Sequence, residues 1–192
     1  SSNDVENILI KNDFVLPISY YLRSYVDDNN NWLALNRSIF CYNFKEKTYE
    51  EYPKLPDNIN RNEFDPIVGI SLLSSSSPIV ITQAGKIYSY TKKVKNWQKI
   101  ENQLPEKISP KNMLVIDNFL WVTTSSNGLF YFNLSTKKWF KVNDEKLPVA
   151  NLISLAKDKS DKDILWIASY SGLIRFNTKN FDSRIFSKKQ GL

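Results

Sequence analysis

Short apolar runs recur along the chain, separated by polar turns, and none is continued at a helical spacing. Four segments repeat one arrangement: an apolar strand often carrying Trp, a turn, a second strand ending in Tyr or Phe, then a further aromatic. They begin at Trp32-Leu33-Ala34-Leu35, Ile79-Val80-Ile81-Thr82, Leu120-Trp121-Val122-Thr123 and Leu165-Trp166-Ile167-Ala168. Their second strands are Ser38 to Asn43, Gly85 to Tyr90, Gly128 to Asn133 and Gly172 to Asn177, and the closing aromatics are Tyr49, Trp97, Trp139 and Phe181. The turn position at Ser38, Gly85, Gly128 and Gly172 recurs after 47, 43 and 44 residues. Another apolar stretch precedes each pair, at Ile18 to Val26, Ile67 to Leu73, Met113 to Ile116 and Leu152 to Ala156.

Each unit therefore reads as four short strands, A to D. Four strands in a period of roughly 40–50 residues is the spacing of a propeller blade. The pattern predicts an all-β protein, a β-propeller of about four four-stranded blades. The blades fall at about 14–55, 64–103, 110–144 and 147–188. The B strands are apolar on both faces, as expected of a sheet sandwiched between neighbours. Asp117-Asn118 has the chemistry of a tight A–B hairpin, since both residues tolerate positive φ. Longer polar turns occupy the same place at Asp27 to Asn31 and Asp158 to Asp163. Gly128 and Gly172 follow strand B, where the turn needs a residue without a Cβ clash. Residues 1–13 read as the last strand of a preceding blade, as a short helix through Val5, Ile8 and Leu9, or in part as a tag scar.

Leu147 to Ser154, Ile164 to Ser169 and Gly172-Leu173-Ile174-Arg175-Phe176-Asn177 together resemble the two-component regulator propeller repeat. So do Leu120 to Thr124 and Gly128 to Asn133. The resemblance covers most of the chain from about residue 14. It departs from the pattern at Ser38, where a glycine is usual, and at Val80, near the usual Trp. It implies the periplasmic sensor region of a bacterial hybrid two-component system, with kinase, receiver and DNA-binding parts elsewhere in a longer protein. Such receptors commonly detect oligosaccharides. The family motif is structural, so it transfers no catalytic or ligand residue to a numbered position. A propeller scaffold mediating protein–protein contact is the alternative, because fold does not fix function.

Lys188 to Leu192 look like the lead-in to another repeat, which predicts a partial propeller. An open arc would expose apolar faces on its terminal blades, a drive to associate at ~25 cal/mol per Å² buried. The expected partners are other propeller blades or a second copy of the chain.

Composition narrows the chemistry. Hydrophobic residues make up 42% and aromatics 14%, which suits a folded β protein. The net charge of +6 permits an anionic partner without demanding one. The chain contains no histidine, which removes the commonest general base and metal ligand, every Ser-His triad and a phosphoacceptor His. The single cysteine, Cys41, allows neither an internal disulfide nor a zinc cluster and reads as a structural thiol. No phosphate-binding loop is present, and Glu50 and Glu51 point to opposite faces of a strand. Asp27 to Asn31 lacks the spacing and closing Glu of an EF-hand and reads as a hairpin turn. No catalytic residue, cofactor or metal is expected. No apolar run reaches membrane-spanning length, so insertion of this segment is not expected.

Lysines at the C–D turns (Lys45, Lys47, Lys92, Lys93, Lys95, Lys137, Lys138 and Lys179) would line one rim. They read as protection of edge strands rather than a nucleic-acid surface, since no basic–aromatic stacking pattern accompanies them. Propeller ligands usually meet the face built from B–C turns and the loops into strand A. Arg37, Gln83, Asn127 and Tyr170 occupy those turns and are the candidate ligand residues. Tyr170 offers a ring to stack on a sugar, and the other three offer hydrogen bonds to hydroxyls. The plainer reading takes all four as simple turn residues and outweighs the ligand reading.

Overall fold

The computed structural model describes residues 22–56, 65–74, 77–101, 104–105 and 108–187. The readings for residues 1–13 and for the final lead-in lie outside them. Every regular element among the described residues is a strand, and the sixteen strands form four antiparallel four-stranded sheets in chain order. Blade 1 comprises β1 (Leu22–Val26), β2 (Asn30–Leu35), β3 (Ser38–Asn43) and β4 (Thr48–Tyr52). Blade 2 comprises β5 (Ile67–Ser74), β6 (Ser77–Thr82), β7 (Ile87–Thr91) and β8 (Asn96–Ile100). Blade 3 comprises β9 (Pro110–Ile116), β10 (Phe119–Thr124), β11 (Leu129–Asn133) and β12 (Lys138–Lys141). Blade 4 comprises β13 (Leu152–Lys157), β14 (Ile164–Ser169), β15 (Gly172–Asn177) and β16 (Ser183–Phe186). The architecture is a four-bladed β-propeller.

The core lies between blades. One buried cluster joins blades 1 and 2 through Trp32, Tyr52, Ile70 and Val80. A second joins blades 2 and 3 through Ile79, Ile81, Met113 and Phe132, and a third joins blades 3 and 4 through Trp121, Leu129, Leu165 and Phe176. Because side chains alternate along a strand, each middle sheet supplies both of its faces to these clusters. That is why β6 and β10 are buried almost throughout while β1 alternates exposed and half-buried. Each fully buried Leu or Ile contributes roughly 1.5–3 kcal/mol. Among the described residues no comparable cluster joins blade 1 to blade 4. Tyr25 on β1 borders both the first and the third clusters.

The innermost strands of blades 2 and 3 come into backbone contact. A Cβ on Gly69 of β5 would stand 2.8 Å from the backbone nitrogen of Met113 and 2.7 Å from its Cγ. The buried Ser71 Oγ accepts a 3.0 Å hydrogen bond from the Val115 N–H, tying β5 to β9 across the gap.

Turn chemistry repeats with the blades. Gly85 (φ 78°), Gly128 (φ 80°) and Gly172 (φ 136°) all adopt left-handed backbone after strand B. In blade 1, where serine replaces the glycine, Asn36 takes that conformation instead at φ 54°. Asp117 sits at φ 51° in the tight A–B hairpin. At the C–D turns, Asn43, Asn133 and Asn177 each accept two backbone N–H bonds from the residues two and three positions on. Each turn then closes through a residue at positive φ, Lys47, Lys95, Lys137 or Phe181.

Candidate functional site

The B–C turns and the loops entering each A strand meet along one edge. The Gln83 N–H donates to the Pro66 carbonyl at 2.8 Å, the Ser125 N–H to Ser109 at 3.0 Å, and the Gly128 N–H to Ala150 at 2.9 Å. These crossings fix the backbone of the edge and leave its turn side chains as the variable elements.

A hydroxyl at the end of strand B stitches three of the turns. The Lys86 N–H donates to Thr82 Oγ1 at 3.2 Å. Thr124 Oγ1 donates to the Gly128 carbonyl at 2.7 Å and accepts from the Asn127 N–H at 3.1 Å. Ser169 Oγ donates to the Gly172 carbonyl at 2.8 Å and accepts from the Ser171 N–H at 3.2 Å. These residues stand in the sequence as T, T and S, three or four positions before each glycine, and their role could have been suspected from that repetition.

The four candidate residues occupy four successive turns of this edge, and among the described residues none bonds to another. Arg37 is half-buried. Its guanidinium donates to the backbone carbonyls of Asp65 at 3.0 Å and Pro56 at 2.6 Å, clasping the crossing from blade 1 to blade 2. Gln83 is exposed, with its backbone N–H held by the Pro66 carbonyl. Asn127 is half-buried, and its Oδ1 accepts from Ser126 Oγ at 3.3 Å. Tyr170 is 85% exposed on a two-residue turn stitched by Ser169.

Asp65 was not legible as part of this edge. Only 3% exposed, it accepts the Ala84 N–H on Oδ1 at 2.8 Å, and its Oδ2 faces Lys86 Nζ at 3.5 Å. A buried carboxylate needs such partners, since stranding it is costly. Burial pushes the Tyr88 hydroxyl up, with Asp65 adding to the shift and Arg37 opposing it. Arg37, Asp65, Lys86 and Tyr88 thus form a polar clasp between blades 1 and 2.

The opposite edge carries a different device. Trp32 Nε1 donates to Asp27 Oδ2 at 3.1 Å, and Trp166 Nε1 to Asp158 Oδ2 at 2.7 Å. Each carboxylate also accepts two backbone N–H bonds from its own A–B turn. Burial pushes the Asp27 carboxyl up, but bonds from the Asn29 backbone, the Trp32 indole and Asn30 outweigh it and hold the pKa below the ordinary value. Asp158 is held low first by the Trp166 indole, then by the Asp161 and Ser160 N–H groups. Among the described residues no group of three or more carboxylate or thiol side chains is arranged to hold a metal. Cys41, half-buried on blade 1, has its thiol pushed up to about 12, mainly by burial, which favours the neutral thiol over the nucleophilic thiolate.

No family model and no curated protein matches the chain. Solved structures do match. The extracellular domain assigned to the hybrid two-component system BT4673 of B. thetaiotaomicron superposes with a TM-score of 0.62 at 17% identity, covering 89% of this chain and 22% of that one. The propeller fold is shared. The corresponding domain of BT3049 from the same organism gives 0.56 at 13% identity, covering 88% and 25%. PorZ, a surface component of the type-IX secretion system of Porphyromonas gingivalis, gives 0.66 at 12% identity, covering 93% and 22%. The chain thus spans between about a fifth and a quarter of the length of these structures.

Proposed function

We propose that the chain is a non-catalytic segment of an extracytoplasmic sensor, of the kind that serves hybrid two-component systems, and that its turn-bearing edge receives an oligosaccharide. Tyr170 carries this reading. A tyrosine ring 85% exposed on a stitched, two-residue turn is a preformed platform for the apolar face of a sugar. Gln83 and Asn127 supply amide donors and acceptors along the same edge, while Arg37 holds that edge in shape through its carbonyl bonds. The likeness to extracellular domains of hybrid two-component systems supports periplasmic placement, with kinase chemistry in another part of the protein. Binding would act by shifting the packing between blades toward one arrangement that a downstream kinase reads.

Calorimetric titration of the full chain against a panel of oligosaccharides tests this. Saturable heat with one glycan class, lost in Tyr170→Ala with unchanged melting, is expected. Heat that survives Tyr170→Ala overturns the site. Silence across the panel favours the second reading, a propeller scaffold for protein contacts, which the likeness to a secretion-system surface component supports.

A further inference from the structure

Lysines in several parts of the molecule sit against carboxylates: Lys86 against Asp65, Lys141 against Asp144, Lys146 against Asp182 and Lys179 against Asp163. The C–D turn of blade 2 differs. It reads Thr91-Lys92-Lys93-Val94-Lys95-Asn96 and contains no carboxylate. Lys92, Lys93 and Lys95 are exposed, and among the described residues none of them makes an ion pair. Val94 stands between them at the tip, 57% exposed. The turn is closed by its own backbone, with the Val94 N–H on the Thr91 carbonyl at 3.2 Å and the Lys95 N–H on the Lys92 carbonyl at 3.3 Å. Lys95 adopts a left-handed φ of 48°, where glycine carries no penalty and lysine does. The base of the turn is fixed. Tyr90 and Trp97 are buried in the junction with blade 1, and Trp97 Nε1 donates to the Pro53 carbonyl at 2.6 Å. Blade 2 is an inner blade, packed on both faces by blades 1 and 3.

The C–D turn of blade 1 repeats this design in weaker form. Phe44 is 45% exposed beside the exposed Lys45 and Lys47, and Lys47 again takes a left-handed φ, 54°. Glu46 and Asp28, both exposed, offset part of that charge. The valine narrows the choice of anionic partner. An aliphatic side chain has no ring to stack on a base or a sugar. It gains by leaving water for an apolar layer that lies just beneath a charged one. Lysine stems suit the same boundary, because their ammonium groups stay with the headgroups while the stems lie along apolar surface. Lysines that shield a sheet edge belong on its outer strand, and these stand in the turn before it.

We infer that the C–D edge of blades 1 and 2 rests on an anionic lipid surface, with Val94 entering the headgroup boundary and Lys92, Lys93 and Lys95 contacting lipid phosphates. Phe44, Lys45 and Lys47 add a second, weaker foothold. The contact is peripheral and reversible, because two tip side chains bury little apolar area. C–D turns lie at the opposite end of the strands from B–C turns, so the Tyr170 edge faces away from the lipid. The two surfaces share no residue, and this one stands or falls independently of sugar binding.

Cosedimentation of the full chain with lipid vesicles tests the inference. The expected result is binding to mixed phosphatidylglycerol–phosphatidylcholine vesicles at low salt, weakening as salt rises, and none to pure phosphatidylcholine vesicles. Lys92→Ala and Lys93→Ala should each weaken binding about fivefold. Lys54→Ala and Lys111→Ala, which remove the same charge from exposed positions near the opposite edge, should leave it within about twofold. Val94→Asp should weaken binding several-fold, while Val94→Leu keeps or strengthens it. All these positions are exposed, and an unchanged melting temperature verifies each fold. Failure to bind the anionic vesicles at low salt overturns the inference. So does equal weakening by the two lysine pairs, which marks a diffuse effect of net charge, or binding indifferent to Val94→Asp. Release from the vesicles by inorganic phosphate at constant ionic strength marks a site for the free ion and overturns it too.

Discussion

The third and fourth blades place a tryptophan at the same point of strand B, and the two live in opposite circumstances. Trp121 is 2% exposed, with Tyr131, Phe176 and Phe181 around its ring, yet among the described residues its indole N–H has no hydrogen-bond partner. Trp166 is only half-buried, with Phe186 at 6.0 Å, but its N–H is bonded to Asp158. The A–B turn explains the difference. Blade 3 closes it with Asp117-Asn118, too short to curl a carboxylate back over the sheet, whereas blade 4 uses Asp158 to Asp163. An orphaned buried donor costs about 1–3 kcal/mol. Blade 3 tolerates that cost because a neighbour covers the ring. Blade 4 holds its indole by a polar bond, as blade 1 does for the fully covered Trp32.

Truncating the two rings should separate these cases most sharply. Trp121→Ala is expected to lose about 3–5 kcal/mol of unfolding free energy, because the core cannot refill the space. Trp166→Ala should lose roughly 1–2 kcal/mol, since less area leaves contact. Equal shifts in the denaturant midpoint would erase the distinction. Next come the turn glycines. A Cβ at Gly172 would collide with the Phe186 carbonyl oxygen, a backbone atom of the paired strand, while at Gly128 the nearest atoms are 3.8 Å away. Gly128→Ala should therefore cost only the left-handed strain, about 1–2 kcal/mol. Gly172→Ala should cost clearly more and open the β15–β16 edge to hydrogen exchange.

Acid should then loosen blade 4 before blade 3. The Asp158 pKa is depressed in the folded state, so its contribution is present above the ordinary value of 3.8 and is lost as pH falls through the lower folded value. Blade 3 has no carboxylate on its tryptophan. Hydrogen exchange compared at neutral and strongly acid pH should show β13–β14 losing protection ahead of β9–β10, and Asp158→Asn should flatten that dependence. The smallest effect concerns the C–D turns. Lys137 occupies φ 57° and Phe181 φ 63° at equivalent points. Lys137→Gly should stabilise by up to about 1 kcal/mol by relieving backbone strain, read as a raised melting temperature. Phe181→Gly should destabilise, since that ring stacks on Phe176 at 5.9 Å and 13°.

The blade repeat was legible because alternation and turn spacing are properties of nearby residues. Gly85, Gly128 and Gly172 announced left-handed turns, and Asp117-Asn118 announced its hairpin. The Trp–carboxylate bonds were hidden because turn length varies: Asp27 lies five residues before its tryptophan and Asp158 eight. No fixed spacing exists to read. The Arg37 clasp was hidden because its partners are carbonyls, which every sequence position supplies. Asp65 was overlooked for the same reason. Its significance depends on Ala84 and Lys86, brought to it only when blade 2 folds.

The near-touching of β5 and β9 at Gly69 limits how the molecule can transmit a signal. With the Gly69 backbone set against Met113 and the Ser71 hydroxyl bridging to Val115, the middle pair of sheets is pinned at its innermost strands. Parting β5 from β9 would break that bond, so a signal carried by a swing of the first or last sheet leaves the central junction intact.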